Sequence, residues 1–100
     1  MEFLPVARQD MVEIVRYISH ELKNPESANL LAEKLIEAAE NVLTFPYANP
    51  AYTPLRGLKH EYRKILVQSY LMFYWVDEEK KAVIIARVLY AKREHNRLLK

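Results

Sequence analysis

Residues 61–90 of the chain read EYRKILVQSYLMFYWVDEEKKAVIIARVLY, and this stretch decides the fold. Three runs within it are dense in aromatic and branched apolar side chains, which suit a pleated, half-buried surface. They are residues 62–67, 70–76 and 82–90. The polar breaks between them have the lengths of ordinary hairpin loops, so we predict a three-stranded antiparallel meander. A helix over the middle run would have large apolar side chains on every side, which so small a chain cannot bury. Both faces of the sheet are therefore expected to be partly covered.

Two amphipathic helices are predicted before the meander. Apolar side chains recur every three or four residues across residues 8–22, and Asp10 is assigned to the polar side. The sequence NPE at residues 24–26 starts the second helix, because asparagine caps free backbone donors and proline loses no bond at the first helical position. Pro46 ends this helix by Phe45. Its predicted apolar stripe is Ala28, Leu31, Leu35, Ala38 and Val42.

The remaining segments complete an α+β domain over residues 1–100. Residues 2–6 are predicted to form a short edge strand, because Pro5 lacks a ladder donor. Residues 46–57 form a proline-rich loop, and the residues after Tyr90 a short helical tail. The expected order is β-α-α-β-β-β, with the helical hairpin packed on a small twisted antiparallel sheet.

The composition argues against several classes of protein. There is no cysteine, so neither disulfides nor a thiolate metal site is expected, which fits a reducing cytoplasm. A single glycine leaves no glycine-rich phosphate loop. No apolar run approaches the roughly 20 residues that span a bilayer, and no signal-peptide pattern is present. We expect a cytoplasmic protein that uses neither a metal ion nor a small-molecule cofactor and contacts no membrane.

Positive charge is concentrated at the carboxyl end. The net charge of +2 does not by itself indicate a nucleic-acid binder, but residues 87–100 read RVLYAKREHNRLLK, with one acid among many cations. If Arg63 and Arg87 project to the same side as Lys92 and Arg93, they form a concave cationic patch that could hold phosphate groups. The alternative is that the strand cations Arg63, Lys64 and Arg87 are merely solvated.

The three histidines do not have the spacing of a metal site. His20 is expected to complement the end of the first helix, where a cation suits the helix dipole. His60 precedes the first meander strand. Only His95 lies within the basic cluster, where an imidazole that titrates near neutral pH could transfer protons.

Several short segments, in their order and spacing, resemble the RelE/ParE superfamily of bacterial toxins. The segments are LKNPESA at 22–28, FP at 45–46, YRK at 62–64, YLMFY at 70–74 and RVLYAKRE at 87–94. The resemblance implies two helices on an antiparallel sheet with a mobile carboxyl-terminal segment. It also implies a growth-inhibiting toxin of a type II toxin–antitoxin module, of the plasmid-stabilisation type, held inactive by a cognate antitoxin.

The two branches of this superfamily imply different targets. The RelE branch cuts messenger RNA on the ribosome without a metal, and the ParE branch inhibits DNA gyrase. The resemblance matches Arg63 and Arg93 to basic residues of the nuclease branch. Our nuclease hypothesis takes Arg93 as catalytic, with Tyr90 or His95 moving protons. The cations expected to contact phosphate or the target are Arg63, Arg87, Lys92, Arg93 and Arg97.

Two departures from the nuclease pattern favour the ParE branch. Leu71 stands where nuclease members usually have an arginine, and Ile65 where they have a lysine. Losing one preorganised cation typically costs about 2.7–4 kcal/mol of transition-state stabilisation. We therefore expect an inhibitor of DNA gyrase that acts by binding. A ribosome-dependent mRNA endonuclease is the alternative, and an interaction module without toxicity is a third.

Overall fold

The computed structural model describes residues 2–51 and 60–92. In this part of the chain, strand β1 (Glu2–Phe3) and helix α1 (Pro5–Arg16) come first, followed by a π-helical turn (Tyr17–Glu21) and helix α2 (Pro25–Thr44). Strands β2 (Arg63–Val67), β3 (Tyr70–Asp77) and β4 (Ala82–Tyr90) follow. They form one four-stranded sheet in the order β1-β4-β3-β2. The predicted α+β class is confirmed, and the meander lies where it was predicted. The predicted helical tail lies almost wholly outside the described residues.

The first strand is shorter than predicted and runs parallel to its neighbour. Glu2 lies opposite Ile84 and Phe3 opposite Ile85, so the sheet is mixed. Pro5 is not in the strand but begins α1, a position where its missing N–H leaves no hydrogen bond unmade. The helical hairpin is a crossover that lets β2 run in the same direction as β1. The two antiparallel turns that follow then bring β4 into that direction as well, beside β1.

Helix α2 has the start that the sequence predicted. The Asn24 side chain accepts a hydrogen bond from the backbone N–H of Ser27 at 3.1 Å, and Pro25 is the first helical residue. The whole predicted stripe is buried, and its last four members belong to one buried cluster with Met72 and Ile85 of the sheet. We call this group the helix-side core. Its members on the sheet include Tyr74, Val83 and Val88.

The sheet face opposite the helices is buried as well, as the aromatic content of the meander predicted. The cluster there, which we call the outer core, consists of Tyr62, Leu71, Phe73, Ala86 and Leu89. Trp75 packs against its edge. Because each of β3 and β4 contributes to both clusters, the meander is held from two sides.

Helix α1 departs from its predicted pattern at both ends. It starts at Pro5 rather than Arg8, and Asp10, assigned to the polar side, is 8% exposed. The chain then widens into a π-helical turn, in which the Leu22 N–H donates to the Tyr17 carbonyl at 3.2 Å. Leu22 itself, expected in the apolar stripe, is exposed. Such π-helical turns often occur at functional sites.

Among the described residues, none of the helices has the length and apolar character required to cross a membrane.

Candidate functional site

A groove opens between the π-helical turn and the sheet. It has a volume of about 800 Å³ and is lined by the π-turn, the start of β3 and the end of β4. Three tyrosines from these elements line it, and we call it the tyrosine groove: Tyr17, Tyr70 and Tyr90, with Ile14 and Ile18. Tyr17 is 52% exposed and Tyr90 is 41% exposed. The groove therefore offers both apolar surface and phenol hydroxyls to a partner.

The tyrosines of the groove influence each other. The rings of Tyr70 and Tyr90 meet edge to face, with centroids 5.8 Å apart. Burial raises the pKa of the Tyr70 phenol above its usual value, and the nearby phenols of Tyr90 and Tyr17 raise it further. Tyr70 therefore stays a neutral hydrogen-bonding group near pH 7. Tyr90, which the nuclease hypothesis assigned to proton transfer, faces this groove rather than the core.

Arg87 is paired with Asp10, one of the residues that line the groove. Its Nε donates to Oδ2 of the carboxylate at 2.7 Å, and its Nη2 donates to Oδ1 at 2.8 Å. The backbone N–H of Val88 donates to the same carboxylate at 3.1 Å. The hydrogen bond to Asp10 raises the pKa of Arg87 most, burial opposes it, and the charges of Asp10 and Glu13 add to the rise. Arg87 is thus a charged internal anchor between α1 and β4.

Arg63 belongs to a separate network at the edge of the sheet. Its Nη1 donates to the Asn49 carbonyl at 2.6 Å, and its Nη2 lies 3.0 Å from a Glu61 carboxylate oxygen. The guanidinium also lies over the Tyr47 ring, 5.0 Å from its centroid. Among the described contacts, Arg63 pairs with the Glu61 carboxylate, whereas Arg87 pairs with a carboxylate of α1. A phosphate at either one would have to compete with a carboxylate already in place.

The remaining predicted site residues fall at or beyond the end of β4. Lys92 is exposed, two residues after Tyr90. Arg93, His95 and Arg97 lie outside the described residues. Among the residues described, no three His, Asp or Glu side chains gather in a way that could hold a metal ion.

The other two histidines, His20 and His60, lie in the described part of the fold. His20 lies in the last turn of the π-helical segment, where the sequence placed it. His60 stacks on Trp75 with ring centroids 3.9 Å apart and an interplanar angle of 2°. Tyr62 meets both rings edge to face, and the group closes one end of the outer core.

The chain matches a toxin family in sequence and a solved structure in fold. The family described as "ParE toxin of type II toxin-antitoxin system, parDE" matches residues 1–95. The chain belongs to this ParE toxin family. The resemblance to the ParE branch of the RelE/ParE superfamily is thereby confirmed. This toxin is the partner of a cognate antitoxin in a type II system.

Among solved structures, one titled "Chromosomal ParDE TA system from P. aeruginosa" is similar to the ParE toxin described here. The TM-score is 0.72 at 14% sequence identity, and the match covers 91% of this chain and 94% of that chain. At this identity the likeness is one of fold. No curated protein is significantly similar in sequence to the toxin.

The two positions that departed from the nuclease pattern are both apolar packing positions in the toxin. Leu71 is 9% exposed and belongs to the outer core. Ile65 packs against the helix-side core, on the other face of the sheet. Neither residue faces the tyrosine groove, whose lining includes neither of them.

The residue that the sequence analysis missed is Asp10. A signal was available, because Asp10 follows Ala7 by three residues and precedes Ile14 by four, which places it on the buried face of α1. An acid at such a position needs a buried partner. Its partner is 77 residues away in the chain, so only the fold could identify Arg87.

Proposed function

We propose that this toxin stops growth by binding DNA gyrase in the cytoplasm, and that the antitoxin prevents this by covering the binding surface. The observation that carries the proposal is the position of Leu71. Where the resemblance to nucleases calls for an arginine aimed at the scissile phosphate, this chain has a leucine packed inside the outer core. Together with membership of the ParE family, this favours inhibition by binding over cleavage of RNA.

The target-contacting cations are those that follow β4. Lys92 is exposed two residues after Tyr90 of the tyrosine groove. Arg93 and Arg97 lie outside the described residues and stay in this set as proposed target contacts. Arg63 and Arg87, which the sequence placed in this set, are held by Glu61 and Asp10. We therefore assign them structural roles: Arg63 supports the edge of the sheet, and Arg87 joins the sheet to the first helix.

The tyrosine groove is the surface that we assign to the antitoxin. Interfaces are enriched in tyrosine, whose large ring and hydroxyl combine apolar burial with hydrogen bonding. The groove is lined by apolar residues such as Ile14 together with polar ones such as Glu13, and its lining includes Tyr90, two residues before Lys92. A segment bound there would also obstruct the exposed Lys92, which explains how one contact could neutralise the toxin.

The proposal is tested with purified gyrase, supercoiled DNA and the toxin. We expect trapped cleavage complexes, seen as linear DNA after protein digestion. Lys92→Glu should weaken trapping at least tenfold, because it reverses a charge on the proposed surface. Lys80→Glu is the matched control, since Lys80 is an exposed lysine on the turn at the other end of β4.

The same toxin is added to programmed ribosomes in a translation extract. Cut messenger RNA without trapped gyrase complexes would contradict the proposal and favour the nuclease alternative. If neither activity appears, and expression without an antitoxin leaves growth unchanged, the chain is an interaction module.

A further inference from the structure

Strand β4 carries one extra residue relative to β3. Tyr74 lies opposite Ile85, whereas Phe73, the next residue back along β3, lies opposite Arg87. Ala86 is therefore inserted, and the pairing contains a β-bulge. A bulge leaves part of the local hydrogen-bond ladder unmade, so its groups need partners from elsewhere.

The bulge decides which way the last residues of β4 face. Side chains alternate along a strand, and one inserted residue reverses the alternation beyond it. Ile85 and Val88 accordingly both pack in the helix-side core, although they are three residues apart. Leu89 packs in the outer core, and Tyr90 lines the tyrosine groove. Without the insertion, Leu89 would take the side of Ile85, and Tyr90 would face away from the groove.

Asp10 binds the bulge at the two residues that follow the insertion. Its carboxylate accepts two hydrogen bonds from the Arg87 guanidinium and one from the Val88 backbone N–H, at 2.7 to 3.1 Å. The Val88 N–H is thereby satisfied by a side chain of α1. Because both carboxylate oxygens accept hydrogen bonds from the planar guanidinium, the contact fixes the orientation of the Arg87 side chain as well as its distance from Asp10. Asp10 is buried, although it also contributes to the lining of the tyrosine groove.

We propose that Asp10 is a positioning residue that sets the register of the end of β4. It thereby decides which face the side chains after Ala86 occupy and keeps Tyr90 in the tyrosine groove. The carboxylate of α1 selects the bulged register over the regular one. The end of β4 then presents Tyr90 beside Tyr70, with Lys92 exposed two residues later. The importance of this surface for the toxin's partners rests on the proposed function, whereas the setting of the register rests on the contacts alone.

The register is tested by NMR on Asp10→Asn, which keeps the shape of the side chain but loses the charge and one acceptor. We expect hydrogen exchange at the Val88 amide at least tenfold faster relative to other amides of the sheet. The ring contact between Tyr70 and Tyr90 should also be lost. Val42→Ala is the control, because Val42 is a buried α2 residue without a hydrogen bond to the bulge.

Arg87→Lys provides a second variant, since lysine keeps the charge without the planar fork and should give an intermediate increase in exchange at Val88. If both variants exchange at Val88 as Val42→Ala does and keep the ring contact, Asp10 does not set the register and the proposal is wrong.

The functional consequence is measured as gyrase trapping per folded molecule. Asp10→Asn should trap at least tenfold less than the native toxin, and Val42→Ala should trap equally once its folded fraction is taken into account. Equal trapping by Asp10→Asn would overturn the role in presentation. If the native toxin traps no complexes, the proposed target fails, while the exchange rate and the ring contact still decide the role of Asp10.

Discussion

Replacing Arg63 by methionine should reduce stability and leave the toxin's potency per folded molecule unchanged. The side chain of Arg63 is 16% exposed and holds the segment after α2 against the edge of β2. It does so through the Asn49 carbonyl, the Tyr47 ring and the Glu61 carboxylate. Methionine keeps an apolar stem of similar length but removes every charged contact.

The expected loss follows from these three contacts. A hydrogen bond from a charged donor contributes about 1.5–3 kcal/mol, and the one to Asn49 is short, at 2.6 Å. The contact with Tyr47 adds about 0.5–1 kcal/mol. The Glu61 side chain is 72% exposed, so solvent screens this ion pair and it adds little. Because such contributions are not additive, we expect the free energy of unfolding to fall by about 2–3 kcal/mol.

Urea unfolding followed by circular dichroism measures this loss, and gyrase trapping measures potency. Lys92→Met is the matched control: it removes an exposed cation, so stability should stay within about 0.5 kcal/mol while trapping weakens. The result that refutes this reasoning is the reverse pattern for Arg63→Met, with native stability and lost trapping. Arg63 would then contact phosphate, as the sequence suggested.

Three further changes have predictable effects on the free energy of unfolding. Leu35→Ala, at a fully buried position of α2, should cost about 2–5 kcal/mol in urea unfolding, and a loss below 1 kcal/mol would show that the helix-side core can collapse around the cavity. Asn24→Ala should cost about 1 kcal/mol because it removes the cap of Ser27, whereas Asn24→Ser should restore most of that loss; equal stabilities of the two variants would contradict a capping role. The raised pKa of Tyr70 means that folding favours its protonated form, so stability should fall as pH rises above about 10, where the unfolded phenol ionises first. Tyr70→Phe should flatten this alkaline decline in unfolding experiments from pH 8 to pH 11, and an unchanged slope would exclude Tyr70 as its source.

The parts of the fold that the sequence predicted well are those with local causes. The start of α2 depends on Asn24 and Pro25, which act on their immediate neighbours, and its end depends on Pro46. The predicted bounds of the third meander strand match β4, whose apolar run begins directly after a polar stretch, residues 77–81. In each case the deciding interaction spans only a few residues.

The candidate site was predicted less completely because its geometry depends on distant pairings. The sequence identified Tyr90 and Lys92 as residues of interest but grouped Arg63 with Arg87. The alternation of side chains along a strand does not predict the bulge at Ala86. An inserted residue moves the later side chains to the other face of the sheet, but the types of those residues stay the same. The π-helical turn that brings Tyr17 to the groove likewise has no simple periodic signature.

By itself, the sequence determined that two helices precede a three-stranded meander, and its order of short segments pointed to the ParE branch. Local propensity, capping and proline chemistry are sufficient for those conclusions. Only the tertiary structure decided that β1 runs parallel to β4, that Asp10 is buried against Arg87, and that the end of β4 faces the groove. These features depend on contacts between residues far apart in the chain, and local patterns do not record which distant groups will satisfy a buried charge or an inserted residue.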